Sequence, residues 1–282
     1  MAKIDELYNR MVMDIIENGY SNEGEKVRTV YADGTPAYTK SIMSTQLKFD
    51  NSEPAILTTK QVGWKTAIKE ILLFWQQKTN RLSVMQGQGV RIWDEWEIKE
   101  GKWDGTIGSS YGYQLGKKVR ELNGEKVDQV DYLLHELKHN PYSRRHVTSL
   151  WNIDDLDEMA LNPCVWNTQW LVRGNELHLI VGQRSGDVAL GIPFNLLQYQ
   201  VLQMMIAQVT GYKVGSLTFN VSDAHIYDRH LDLMEKQVNG ETFEAPYLWM
   251  NPNVTNFYDF TIEDFRLAGY KNDGKFEYEV AI

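Results

Sequence analysis

Residues 194–210, FNLLQYQVLQMMIAQVT, constrain the fold more than any other stretch: they read as a long buried helix, closed by Gly211. Such a helix has to be enclosed by other elements, and β-rich runs flank it. VWNTQWLV (165–172) and ELHLIVGQRS (176–185) precede it, with Arg173-Gly174-Asn175 between them as a hairpin turn, and VGSLTFNV (214–221) follows. HVTSLWN (146–152) reads as a further strand. Helices are predicted at the N-terminus, where Ile4, Leu7, Met11 and Ile15 keep helical spacing and Gly19 offers a C-cap. Others are predicted at 64–77, at 129–139 ending before Pro141, and at 225–238. Helices mixed irregularly with hairpin-linked strands predict the α+β class: a single domain over residues 1–282 with a large mixed β-sheet packed by helices.

Composition narrows the function. The net charge of −9 argues against non-specific binding to nucleic acid or an anionic membrane, but a local arginine cluster can still hold a small anion. The single cysteine excludes an intramolecular disulfide and fits a reducing compartment. No apolar run approaches the roughly 18 residues of a membrane span. The N-terminus lacks a signal peptide's basic-then-apolar order, so a cytoplasmic protein is expected. Six scattered histidines and one cysteine give no metal-ligand pattern.

Several residues stand out chemically. A lone cysteine is most often a small buried hydrophobe; as a nucleophile, Cys164 needs a neighbouring cation, and Arg184 on the next strand is a candidate. Arg144-Arg145 is either a solvated pair or a phosphate grip, since guanidinium forks match oxygen pairs. Glu70, inside an apolar helix, is either one half of a structural ion pair or an acid–base group whose pKa burial raises. His225 and Tyr227 either hydrogen-bond a ligand hydroxyl or pack beneath a helix capped by Asp223. Trp93 and Trp96 suit the core or a stacking platform.

The ordered set resembles the thymidylate synthase family along nearly the whole chain. The most specific blocks are Pro163-Cys164, Gln183-Arg184-Ser185-Gly186-Asp187, Leu190-Gly191-Ile192-Pro193-Phe194-Asn195 and Asp223-Ala224-His225-Ile226-Tyr227. Arg28-Thr29, Thr58-Thr59-Lys60, Glu70, Ile92-Trp93-Asp94-Glu95-Trp96, Tyr111-Gly112, Ser143-Arg144-Arg145 and the terminal Val280-Ala281-Ile282 support them. The resemblance implies reductive methylation of dUMP to dTMP. 5,10-Methylenetetrahydrofolate is the co-substrate that gives the one-carbon unit and the hydride, and it leaves as dihydrofolate; no metal takes part. It implies a thiolate at Cys164, activated by Arg184, and a phosphate held by Arg28, Arg184 and Ser185, with Arg144 and Arg145 donated across a homodimer interface. Asn195 is expected to read uracil, and His225 and Tyr227 the deoxyribose hydroxyl. Asp187 is expected to orient both ligands, and Glu70 and Tyr111 to handle protons. The folate is expected near Ile92, Trp93, Trp96, Leu161, Asp187, Leu190, Gly191 and Phe194, with Lys60 at its glutamate tail and Ala281-Ile282 closing over it.

The chain also departs from the common family pattern. Val165 follows the cysteine where His is frequent, Gly182 stands where an aromatic is frequent, Ser222 replaces a Gly, and Asp228-Arg229-His230 replaces an Asn-His pair. The alternative is a deoxyuridylate hydroxymethylase, which uses the same substrates but ends with water instead of hydride.

Overall fold

The computed structural model describes all of residues 1–282. Seven helices order the chain: α1 (Lys3–Asn18), α2 (Trp64–Trp75), α3 (Leu82–Gly87), α4 (Gly112–Gly116), α5 (Gln129–His139), α6 (Gly191–Thr210) and α7 (Leu231–Val238). The strands are β1 (Tyr20–Ser21), β2 (Thr39–Phe49), β3 (Arg120–Leu122), β4 (Glu125–Val127), β5 (Val147–Ser149), β6 (Val165–Arg173), β7 (Glu176–Gln183), β8 (Gly186–Asp187), β9 (Lys213–Tyr227), β10 (Tyr247–Met250) and β11 (Phe265–Ala268).

One mixed sheet of seven strands runs β1-β2-β9-β7-β6-β5, with β8 added beside β9. β7 and β9 are parallel because α6 crosses between them; the other main pairs are antiparallel. Alternate residues of β7 (Leu177, Leu179, Val181) turn into one core of 56 residues, where α6 covers β7 and β9 and α1 covers β2. α6 is the buried helix that its composition requires. It opens at Gly191 with Pro193 in its first turn, and Gly211 closes it in the left-handed conformation (φ +83°). Its three buried glutamines are each tied to neighbours; Gln203 donates to Leu177 O (2.7 Å), for example.

The structure corrects four boundaries. β2 is an eleven-residue strand that the sequence does not announce, because its residues are largely polar. β7 ends at Gln183, so Arg184 and Ser185 leave the sheet. The predicted 146–152 strand shrinks to β5. The 225–238 stretch is not one helix: β9 continues to Tyr227, held by pairing with β2 (Ser41 opposite His225, Thr39 opposite Tyr227), and α7 begins only at Leu231. Sheet pairing there outweighs local propensity. Asp223 therefore caps nothing; it accepts from His225 Nδ1 (2.8 Å). Gly19 ends α1 without the left-handed turn (φ −65°), although its N–H still reaches Ile15 O (2.9 Å). No helix is long and apolar enough to cross a membrane.

Candidate active site

Cys164 immediately precedes β6, and the hairpin register, with Val165 opposite Gln183, sets Arg184 beside it. The Arg184 N–H donates to Cys164 O (2.8 Å). Its guanidinium donates from Nε to Pro163 O (3.0 Å) and from Nη2 to Asn162 O (2.8 Å), while Trp151 lies 5.6 Å below. Carbonyls on the cysteine's own approach thus fix the cation, and three of its five N–H groups remain for a ligand. Burial pushes the Cys164 thiol up; the Arg184 charge pulls it back, Asp187 raises it, and the Tyr111 hydroxyl lowers it.

Tyr111 accepts from the Cys164 N–H (3.2 Å). It stacks on Phe74 at 4.9 Å and meets Trp93 edge-on at 5.0 Å. Its backbone sits at φ +44°, ψ −104°, a region that residues with side chains rarely adopt. The rings on both sides hold the strain in place at the thiol.

A second network reads out at Asn195. Trp93 Nε1 donates to Glu70 Oε1 (2.6 Å), and Gln198 Nε2 donates to Glu70 Oε2. Asn195 Nδ2 donates to Gln198 Oε1 (3.1 Å), and Gln183 Nε2 donates to Asn195 Oδ1 (3.1 Å). Four buried or half-buried side chains therefore set which way the Asn195 amide faces. Burial lifts the Glu70 carboxyl to about 7; the Trp93 and Gln198 hydrogen bonds lower it only in part.

β8 brings Asp187 opposite His225 on β9. Asp187 Oδ1 accepts from the backbone N–H groups of Ala189 (2.9 Å) and Leu190 (3.1 Å), and Oδ2 has no partner in the chain. His225 is buried, and its ring meets Tyr227 edge-on at 5.3 Å. Burial pushes the Tyr227 hydroxyl up to about 12, with Asp187 adding to the rise; Thr29 and Arg28 act against it, which sets the Arg28 loop beside this corner. Lys60 is buried, not on the rim. Its Nζ donates to Ala189 O (2.8 Å) and lies 4.9 Å from the Tyr278 ring, and burial lowers it to about 8.

The chain thus assembles Cys164, Arg184, Tyr111, Glu70, Asn195, Asp187, His225 and Tyr227. Ser185 is half-buried at the turn between β7 and β8, and Arg28 is exposed. Arg144 and Arg145 are exposed on the loop before the edge strand β5, and neither guanidinium has a partner in the chain. Among the residues expected near a folate, Trp93 is buried and Ile92 exposed, while Trp96, Leu161, Leu190, Gly191 and Phe194 are half-buried. Ala281 is half-buried in a tail whose Ile282 exchanges two backbone hydrogen bonds with Val30 (2.8 and 2.9 Å). Sequence reasoning missed Trp151 and Gln198. Gln198 was detectable as one of several glutamines set into the apolar run of a buried helix; no local signal marks Trp151.

Comparison with known proteins gives one answer. The family profile for thymidylate synthase matches residues 6–282. The chain is 58% identical to the thymidylate synthase of Bacillus phage phi3T and to thymidylate synthase 1 of Bacillus subtilis strain 168, each over the full length of both chains. The solved structure of the thermostable thymidylate synthase A from Bacillus subtilis superimposes with a TM-score of 0.94 at 59% identity, covering 99% of each chain.

Proposed function

The chain belongs to the thymidylate synthase family, and from that premise we propose how its residues divide the work. The reaction is the reductive methylation of dUMP to dTMP, with 5,10-methylenetetrahydrofolate as co-substrate and dihydrofolate as the second product. That folate supplies the one-carbon unit and then the hydride. Relatives at this level of identity carry the synthase name, and none supports the hydroxymethylase alternative.

Cys164 is the nucleophile. Carbon 5 of uracil is a poor nucleophile until a thiolate adds at carbon 6 and turns the ring into an enolate, so covalent addition splits one difficult step into easier ones. The pinned Arg184 guanidinium carries this reading, because its fixed charge beside the cysteine counters part of the burial that holds the thiol above its usual range. Its remaining N–H groups, with Arg28 and Ser185, face the phosphate. Asn195 presents one donor and one acceptor to the uracil edge. His225 and Tyr227 hold the deoxyribose hydroxyl. Glu70, poised near neutrality, relays protons through ordered water, and Tyr111 helps at the thiol.

The folate lies against the side chains beside this site. The half-buried Trp96, Leu190 and Phe194, with Ile92 and Leu161, offer apolar surface, and the free Oδ2 of Asp187 offers the acceptor that a ring N–H needs. Lys60 holds the Ala189 carbonyl, so its charge, and not a direct contact, is what a folate carboxylate meets. Ala281-Ile282 closes the site against water.

The protein works as a homodimer. Arg144 and Arg145 have no partner at home, and Met43, Val147 and Trp166 stay exposed on sheet strands, as an interface requires. Incubation with dUMP and methylenetetrahydrofolate, followed by dihydrofolate absorbance and nucleotide mass, tests the whole reading. Thymidylate with an absorbance rise is expected; a hydroxymethyl product with no rise would overturn it.

A further inference from the structure

Arg229 follows the strand that carries His225 and Tyr227, and its side chain joins three segments. Nη2 donates to Asp33 Oδ2 (2.8 Å) and Thr35 Oγ1 (2.6 Å), and Nη1 donates to Glu279 Oε2 (2.9 Å). The guanidinium carbon lies 3.9 Å from the Tyr31 ring centre. Tyr31 is buried, donates its hydroxyl proton to Asp228, accepts from the Arg229 N–H (3.3 Å), and stands edge-on to Tyr227 at 6.4 Å.

Asp33 and Thr35 occupy the tip of the loop that follows Arg28. Hydrogen bonds from Ala37 N to Thr29 O (3.0 Å) and from Tyr31 N to Thr35 O (2.9 Å) close that loop. Glu279 lies in the C-terminal segment, where its carbonyl accepts from His230 Nε2 (2.9 Å) and where Ile282 pairs with Val30 of the same loop. These ion pairs are half-exposed and add little stability one by one. Their geometry is another matter. One planar fork grips two carboxylates that lie 196 and 50 residues away in sequence, over an aromatic face that limits its tilt.

We propose that Arg229 is a positioning residue for the methylation reaction: by clamping Asp33 and Glu279 over Tyr31, it sets Arg28 against the nucleotide phosphate and Ala281 against the folate. This rests on the roles given above to Arg28 and Ala281. Arg229 falls within the Asp228-Arg229-His230 stretch that departs from the common family pattern. Without it, the loop and the tail must be ordered by the ligands themselves, which weakens binding of both and misplaces the closing tail.

The test uses the full-length enzyme with Arg229→Ala, Arg229→Lys, Asp33→Asn and Glu279→Gln, and Arg28→Ala as reference. Arg229→Ala is expected to raise KM for dUMP and for methylenetetrahydrofolate about fivefold each and to lower kcat about tenfold. Asp33→Asn should move chiefly KM for dUMP, and Glu279→Gln chiefly KM for the folate and kcat. Arg229→Lys should recover only part, since one ammonium cannot reproduce the fork. Hydrogen exchange on the ligand-free protein should quicken at residues 29–37 and 278–282 in Arg229→Ala and stay unchanged in β6 and β7. Kinetic constants within about twofold of wild type, a range set by ordinary surface substitutions, with unchanged exchange would overturn the proposal. So would faster exchange across the whole sheet, because that reports general destabilisation. If Arg28→Ala leaves KM for dUMP untouched, the phosphate role of Arg28 fails, and the exchange pattern alone then decides whether the brace exists.

Discussion

Asn195 and Arg145 are both polar groups assigned to one nucleotide, yet their surroundings are opposite. Asn195 is held from both sides by Gln183 and Gln198, and Gln198 is anchored in turn on the buried Glu70. Arg145 stands exposed, with no partner for its guanidinium. The Asn195 network and the Cys164 wall are complete within one folded chain, with their hydrogen bonds set without any ligand. The proposed outer phosphate grip of Arg144 and Arg145 is a pair of exposed cations with no partner in the chain, and in the reading above a dianion and a second copy make it a site. Uracil is neutral, and an amide that tells it from cytosine, as proposed for Asn195, does so by the direction it faces, so such a reader has to be rigid. A phosphate is recognised by charge, which tolerates mobile side chains until binding orders them.

The comparison can be tested from its strongest point downward. Cys164→Ser is expected to bind dUMP normally by calorimetry and to lose at least about a thousandfold in kcat, since the covalent step has no substitute; substantial residual turnover would remove the thiol from the wall. Glu70→Gln should lower kcat about a hundredfold and abolish the pH–rate limb near 7. It also carries a stability signature. The native carboxyl titrates at about 7 against 4.5 when unfolded, so the folded state holds the extra proton between those values. The burial penalty is absent below pH 4.5 and grows to about 3 kcal/mol as pH rises through 7. Wild type should lose that stability across the window in urea titrations, and Glu70→Gln should not.

Asn195→Asp should shift the kcat/KM preference from dUMP toward dCMP by about a hundredfold, because the carboxylate accepts where the amide donated; unchanged selectivity would mean that uracil is read elsewhere. For the outer grip, mixing the inactive Cys164→Ser with the Arg144→Ala/Arg145→Ala double variant should restore activity to about a quarter of wild type, the fraction of intact sites in random hybrid dimers. No recovery, with dimers present by ultracentrifugation, would confine each site to one chain. Arg28→Ala has the smallest expected effect, a KM for dUMP raised about tenfold, as for one charged hydrogen bond.

Much of this was legible in the residues. The apolar run of α6, its Gly211 stop and the Gly174 hairpin turn are local signals, and they placed that helix and the hairpin whose first strand follows Cys164. β2 was not legible. Thr39 to Phe49 is largely polar, and it becomes a strand because β9 offers ten pairing partners. β9 itself was cut short at Ser222-Asp223, where a capping motif suggests a helix, yet β2 holds the backbone extended through Tyr227. Trp151 escaped notice, and Arg229 stood out only as a departure from the family pattern, because their partners lie far along the chain, Trp151 against Arg184 and Arg229 against Asp33 and Glu279.

The sequence by itself determined which chemical groups are present and in what order: one thiol, the Asn195 amide, an acid within an apolar helix, and arginines enough for a dianion. These follow from residue identity and short-range spacing. The tertiary structure alone decided which groups act on one another. The Arg184 charge reaches Cys164 because a hairpin register sets them side by side, and the Glu70 carboxyl rises to about 7 because α2 buries it against α6 and leaves it only two hydrogen bonds. Coulomb energy, desolvation and hydrogen bonding all depend on distance and burial, and both exist only once the sheet has formed.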